Sequence, residues 1–260
     1  MRLKDKVAIV TGGGRGIGKA ISMIFASEGA IVVAAARNSH SLDETIEEIK
    51  LAKGRAKAIQ TDISDEKQVQ RMVNETLNDY GRVDILVNNS GISGNTANLV
   101  DLKLEDWNEV LAINLTGSML CAREVLKHMI PNRKGNIINM GSDGGRYGYP
   151  MRSTYCVSKW GIIGLTETLA IEVGQFHIRV NCISPAAVRG ERFTNVIKGR
   201  SNATGVPFDE LITKNTEHYS IHRPAEEAEV AAAAVFLASD ESNAITGHTL
   251  VVNCGHHIIQ

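Results

Sequence analysis

The chain is predicted to form one α/β domain, a doubly wound parallel sheet of about seven strands with helices on both faces, and three observations predict it. Short β-branched runs alternate with amphipathic stretches from end to end. The runs are nearly continuous in apolar residues, as strands covered on both faces are. A glycine-rich turn follows directly on the first run.

The strand candidates are VAIV (7–10), IVVAA (31–35), AKAIQ (56–60), VDILV (83–87), GNIINM (135–140), IRVNCI (178–183) and TLVVN (249–253). Right-handed crossovers between parallel strands place helices on both faces. The helix candidates fall near 15–28, 41–52, 65–79, 104–130, 153–174 and 225–238, with Ser41 and Ser64 as plausible caps. From 189 to 224 the periodicity weakens among Gly190, Gly199, Gly205, Pro207 and Pro224. An irregular insertion of that length in a compact domain suits a substrate lid.

At 260 residues, 43% hydrophobic and 22% charged, the whole chain reads as one unit without linker, repeat or low-complexity segment. A formal charge of -1 lacks the basic footprint of a nucleic-acid or anionic-membrane binder. The apolar run after Arg2, Lys4 and Lys6 is too short for a signal peptide, and nothing approaches a membrane span. Cys121, Cys156, Cys182 and Cys254 are scattered and suggest reduced thiols in the cytoplasm. His218 and His222 lack an acidic co-ligand, so no metal is expected; His256 and His257 read as a tail pair at a surface or subunit contact.

After the first strand comes TGGGRGIG (11–18), whose glycines fit GxxxGxG through Gly12, Gly16 and Gly18 rather than GxGxxG. In such a turn, backbone N–H groups approach a pyrophosphate and the following helix adds its positive end. Gly12, Gly14, Arg15, Gly16, Ile17 and Gly18 are therefore assigned to a dinucleotide. A bare structural turn is the competing reading. At the end of the second strand, where an acid would accept from the ribose 2′-hydroxyl of NAD, Ala36 is followed by Arg37. Arg37 and Arg15 can pair with a 2′-phosphate, so NADP(H) is favoured, with NAD(H) possible. Asp62 and Ile63 after the third strand suit the adenine, although Asp62 might equally cap the next helix. Asn88, Ser90 and Gly91, within NNSG, suit a backbone lying close to the ligand.

Tyr155 and Lys159 lie one helical turn apart on one face. A phenol is a poor base at neutral pH, and a neighbouring ammonium favours its ionised form. Lys159 can also hold the nicotinamide ribose. Ser142, at the end of the fifth strand, can hydrogen-bond a substrate oxygen. Asn114, a poor helix former inside a long helix, suits a water-holding role in a proton relay or a helix–helix hydrogen bond.

In the order TGGGRGIG, NNSG, Asn114, Ser142 and YCVSK, the sequence resembles the short-chain dehydrogenase/reductases, in particular the 3-oxoacyl-carrier-protein reductase-like members. The resemblance runs from about residue 4 to 255. It implies a Rossmann-type sheet, a nicotinamide cofactor, the tetrad Asn114, Ser142, Tyr155 and Lys159, and a homotetramer. NNSG stands for the usual NNAG. Pro185-Ala186-Ala187-Val188 replaces the usual PG turn, with Pro185 and Val188 still placed to meet the nicotinamide, and Arg189-Gly190 replaces the threonine often found just beyond. Asn253-Cys254-Gly255 replaces DGG, a change expected to bear on subunit packing.

The expected reaction interconverts a carbonyl and a secondary alcohol. Arg146 and Arg152, with the lid cations Arg189, Arg192, Lys198 and Arg200, point to a small polar or anionic hydroxy/oxo substrate. A carrier-protein reductase is the alternative, although Ile171 stands where such enzymes place an arginine. A non-catalytic dinucleotide sensor would leave the Ser-Tyr-Lys set without a task, and a protein binding another adenine-containing ligand would leave YxxxK and Arg37 without one.

Overall fold

The computed structural model describes residues 1–256. Seven parallel strands, β1 (Val7–Thr11), β2 (Ile31–Ala36), β3 (Arg55–Gln60), β4 (Ile85–Asn88), β5 (Gly135–Met140), β6 (Ile178–Pro185) and β7 (Thr249–Val252), lie in the order β3-β2-β1-β4-β5-β6-β7. The order reverses between β1 and β4, which opens a crevice at the carboxyl ends of those strands.

Period-two alternation sends successive side chains to two cores. Ala8, Val10, Val32 and Ala34 pack with α1 (Gly16–Ser27), α2 (Ser39–Leu51) and α9 (Glu227–Ala238). Ile9, Val33 and Ala35 face the helices α3 (Glu66–Tyr80), α5 (Gly117–Met129) and α6 (Ser153–Val173). Edge position explains why β3 and β7 are only half-buried.

Three details depart from expectation. α2 and α3 are capped by Asn38 and Asp65, whose side chains accept from Ser41 N and from Lys67 N and Gln68 N, and not by Ser41 or Ser64. The long helix near 104–130 is α4 (Leu104–Leu111) joined to α5 by a π-helical turn, Ala112–Thr116, that contains Asn114. Such π turns gather at functional sites. The 189–224 segment is not irregular: it holds α7 (Glu191–Thr204), ended by Gly205 at φ +73°, and α8 (Phe208–Glu217), opened by Pro207. Only Ile197 of α7 is well buried, so an apolar stripe too thin to read as periodic suffices to seat that helix. The two helices border a cavity of about 470 Å³ lined by Phe193, Phe208, Ile212 and Arg223, away from Tyr155.

Candidate active site

The glycine turn is built for close approach. Gly12 and Gly16 have φ of +65° and +56°, a region that favours glycine. A Cβ on Gly18 would lie 2.0 Å from the Gly12 carbonyl, and one on Gly14 would lie 2.7 Å from Ser41 Oγ. α1 opens at Gly16 with no side-chain cap on its first N–H groups, so the turn offers donors to an anion. These features fit a dinucleotide pyrophosphate. Ile17 packs partly against the core. Arg15 and Arg37 are exposed at the same end of the sheet, and no acid stands at the end of β2.

Two residues that the sequence reading passed over brace this turn. Thr11 Oγ1 accepts from Asn89 N and Ser90 N, both at 3.0 Å, and Asn89 Nδ2 donates to Thr11 O at 2.9 Å. Each links β1 to the end of β4 and is invisible without the parallel pairing. Glu227, also passed over, borders the turn: its carboxylate lies 2.9 Å from where a Gly190 Cβ would stand and 3.5 Å from a Gly16 Cβ.

The sheet and its loops place the other assigned residues. Asn88 is buried, and its amide donates to Ser118 O and Asn139 Oδ1, so the side chain belongs to the sheet. Asp62 Oδ1 accepts from Ser64 N and Oγ in a local turn, and Ile63 is core. Pro185 ends β6 in a buried position. Val188 bridges Ala225 in parallel through the flanking Ala187 and Arg189 groups, leaving its own backbone groups out of that bridge.

Asn114, Ser142, Tyr155 and Lys159 converge at the carboxyl ends of β4 and β5. Gly91 joins them: a Cβ there would lie 3.1 Å from Asn114 Oδ1 and 3.8 Å from Lys159 Nζ. Asn114 is held by Ile92 N and O and by Ser158 Oγ. Lys159, 4% exposed, donates to Met140 O at 2.7 Å and sits 5.8 Å from the Tyr155 ring centroid. Burial alone would raise the Tyr155 phenol. Lys159 first, then Arg192, the Ser142 hydrogen bond and Arg152, outweigh it, and the pKa falls below the usual 10.0. Burial lowers the Lys159 ammonium as well, against the attraction of Tyr155.

The expected cation cluster divides. Arg152 lies 4.8 Å over the Tyr155 ring, and Arg192 reaches from α7 to donate to Gly91 O at 2.7 Å. Arg189 is paired with Glu226 at 2.9 Å, and Arg146 packs on Tyr147. Lys198 and Arg200 stay exposed on α7. Among the described residues no cluster of metal-ligand type occurs, and His218 and His222 are exposed.

A family model described as Enoyl-(Acyl carrier protein) reductase matches residues 12–257. The chain is 35% identical to 3-oxoacyl-[acyl-carrier-protein] reductase FabG of Thermotoga maritima over 98% of its length and 99% of that relative. The chain belongs to the short-chain dehydrogenase/reductase family. Two solved members of similar shape are an NAD+-bound xylitol dehydrogenase (TM-score 0.94, 28% identity, 97% of this chain and 99% of that one) and a point variant of actinorhodin polyketide ketoreductase with NADPH (TM-score 0.92, 32% identity, 96% of each). As a short-chain dehydrogenase/reductase, this protein is an NAD(P)-dependent oxidoreductase that interconverts a carbonyl and an alcohol.

The carboxyl-terminal turn of this short-chain dehydrogenase/reductase departs from expectation. His256 is not a surface residue: its ring is largely buried against Asp143, directly after Ser142. Asn253 also bonds Asp143, so the NCG segment borders the site. His257 lies outside the described residues. No helix among the described residues is long and apolar enough to cross a membrane.

Proposed function

We propose that this enzyme uses NADP(H) in preference to NAD(H) on a small hydroxy/oxo substrate carrying an anionic group, with Asn114, Ser142, Tyr155 and Lys159 as its working side chains. One observation carries the substrate reading. The Arg152 and Arg192 guanidiniums lie close enough to repel each other and to lower the Tyr155 pKa, and no acid among the described residues is paired with either. Two cations facing one reacting phenol suit a substrate that brings the negative charge. The 189–224 segment acts as the lid, since Arg192 on α7 is the cation it lends to the site.

A nicotinamide dinucleotide held at the Gly12, Gly16 and Gly18 turn would supply or accept the hydride. Ser142 orients the substrate oxygen, and Tyr155 gives it a proton during reduction or takes one during oxidation. Lys159 lowers the phenol's pKa, and Asn114, fixed by Ile92 and Ser158, holds the side of the pocket through which the proton is resupplied. Arg15 and Arg37, exposed and without an acid at the end of β2, support the NADP(H) preference.

The apolar side chains Val157, Trp160 and Ile171 on the outward face of α6, with Leu104 on α4, support a homotetramer. The four thiols, three of them buried, suit a reducing cytoplasm.

The test compares NADPH-driven reduction of an oxo-carboxylate or oxo-sulfonate with that of its uncharged analogue, in the parent, Arg152→Leu and Arg192→Leu. The expected result is at least a tenfold preference for the anion in the parent, erased in both variants. Equal use of the uncharged analogue by the parent overturns the anionic reading. Reduction of a carrier-bound 3-oxoacyl group in preference to both would instead favour the activity named for the Thermotoga relative, although Ile171, 83% exposed, offers an acidic carrier no cation.

A further inference from the structure

The turn after Ser142 is held from an unexpected direction. Asp143 is 1% exposed, and its Oδ2 receives Asn253 Nδ2 at 3.0 Å and His256 Nδ1 at 2.9 Å. Asn253 and His256 close on one another as well: Asn253 Nδ2 donates to His256 O, and His256 N donates to Asn253 O. The turn is tight because Cys254 and Gly255 follow with φ of +54° and +77°, which returns the chain toward β5. Ile221 N bonds Cys254 O and Ser220 Oγ bonds Gly255 O, so the same turn is stitched to the exit of the lid.

The His256 ring also contacts both walls of the site. It stacks on Tyr149 at 6.3 Å and meets Tyr219 at 4.6 Å. Tyr219 OH accepts from Ala187 N, immediately before Val188. Gly144 is wedged at the centre: a Cβ there would lie 3.2 Å from the Tyr155 ring and 3.5 Å from the Tyr149 ring. Any tilt of residues 142–145 therefore moves Ser142 relative to the Tyr155 phenol.

We infer that Asp143 and His256, aligned by Asn253, are positioning residues: the carboxyl-terminal turn clamps the Ser142 turn and the lid exit together and sets the Ser142–Tyr155 geometry. The inference rests on the proposed roles of Ser142 and Tyr155. An Asp143 carboxylate held from β7's side by two donors fixes the orientation of the peptide that carries Ser142, and a buried carboxylate without those donors would leave its site. A misplacement of about 1 Å at a reacting group lowers rates by roughly a hundredfold.

The test uses the full-length enzyme and the variants Asp143→Asn, His256→Phe, the double variant and His256→Gln, which keeps a donor. Kinetics, NADPH affinity by nicotinamide fluorescence and Tm are measured on each. In Asp143→Asn and His256→Phe, the two disrupting singles, kcat is expected to fall at least tenfold, with the NADPH dissociation constant within twofold of the parent. The double variant should be no worse than the poorer single by more than twofold, because each change breaks the same clamp. His256→Gln should recover most of the lost kcat at a Tm no higher than that of His256→Phe, which a purely structural role would not produce. Unchanged kcat in the singles overturns the inference, as do independent, multiplying losses in the double variant. Tyr155→Phe, run alongside, separates the two levels: a turnover-dead Tyr155→Phe with intact clamp variants refutes only the clamp, whereas an active Tyr155→Phe refutes the proposed chemistry beneath it.

Discussion

Replacing Gly18 by alanine tests the cofactor cradle most directly. The added Cβ would stand 2.0 Å from the Gly12 oxygen, 2.4 Å from Asn89 Nδ2 and 2.7 Å from the Gly12 carbonyl carbon, where real Cβ contacts essentially never fall below 3.0 Å. The obstacle is backbone, so α1 and the turn must separate by about 1 Å. Overpacking of this kind costs about 1–3 kcal/mol. For 260 residues the unfolding entropy near Tm is about 0.5 kcal/mol/K, so a 2 kcal/mol loss lowers Tm by roughly 4 °C. The same displacement withdraws the α1 N–H groups from the pyrophosphate. Losing one or two charge-assisted hydrogen bonds, each worth about 1.5–3 kcal/mol, weakens NADPH binding by roughly a hundredfold. Fluorescence titration with NADPH and a thermal melt check both numbers. Gly174→Ala serves as the control: nothing lies within 4 Å of the new Cβ, and its φ of -58° and ψ of -36° are helical, so binding and Tm should not fall. A Gly18→Ala enzyme that binds NADPH as the parent does, at unchanged Tm, would refute the cradle.

Arg37→Asp should weaken NADPH about tenfold or more while leaving or improving NADH binding, read by the same titration; an unchanged ratio of the two affinities removes Arg37 from 2′-phosphate recognition. In Lys159→Met the attraction that lowers the Tyr155 pKa is lost, so the phenolate forms only at higher pH and the rise of the alcohol-oxidation rate should move to higher pH. A pH–rate profile with an unmoved limb contradicts that coupling. Trp160→Glu places a charge in the exposed apolar face of α6, where Trp160 is 54% exposed, and should convert the assembly to smaller species by light scattering with the fold intact. A parent enzyme that is already monomeric defeats the oligomer proposal.

Much of this molecule is written locally and can be read along the chain. The strand–turn–helix at 7–27 is legible because the φ values of Gly12 and Gly16 favour glycine and the close contact at Gly18 leaves no room for a Cβ. Tyr155 and Lys159 are legible because helical geometry turns a spacing of four into a shared face. The two cores follow from strand alternation and helix periodicity, both short-range properties. Helices α7 and α8 escaped such reading, since a thin apolar stripe centred on Ile197 leaves little period to detect.

What the tertiary structure decided is whatever depends on two distant segments meeting. Sequence alone put Arg152 and Arg192 in the same pool as Arg146, Arg189, Lys198 and Arg200; the start of α6 sets Arg152 over Tyr155 locally, but only the packing of α7 over the site brings Arg192 to join it, and only the Val188–Ala225 bridge brings Arg189 to Glu226. Asn88 stands beside the cofactor motif in the chain, yet the pairing of β4 with β5 spends its amide on Asn139. His256 lies 113 residues from Asp143 and reaches it because β7 pairs with β6 and the turn after it folds back over the Ser142 loop. Periodicity and turn chemistry act over a few residues and survive in the linear order, whereas hydrogen-bond partners and electrostatic neighbours are set by distances that exist only after the sheet has closed.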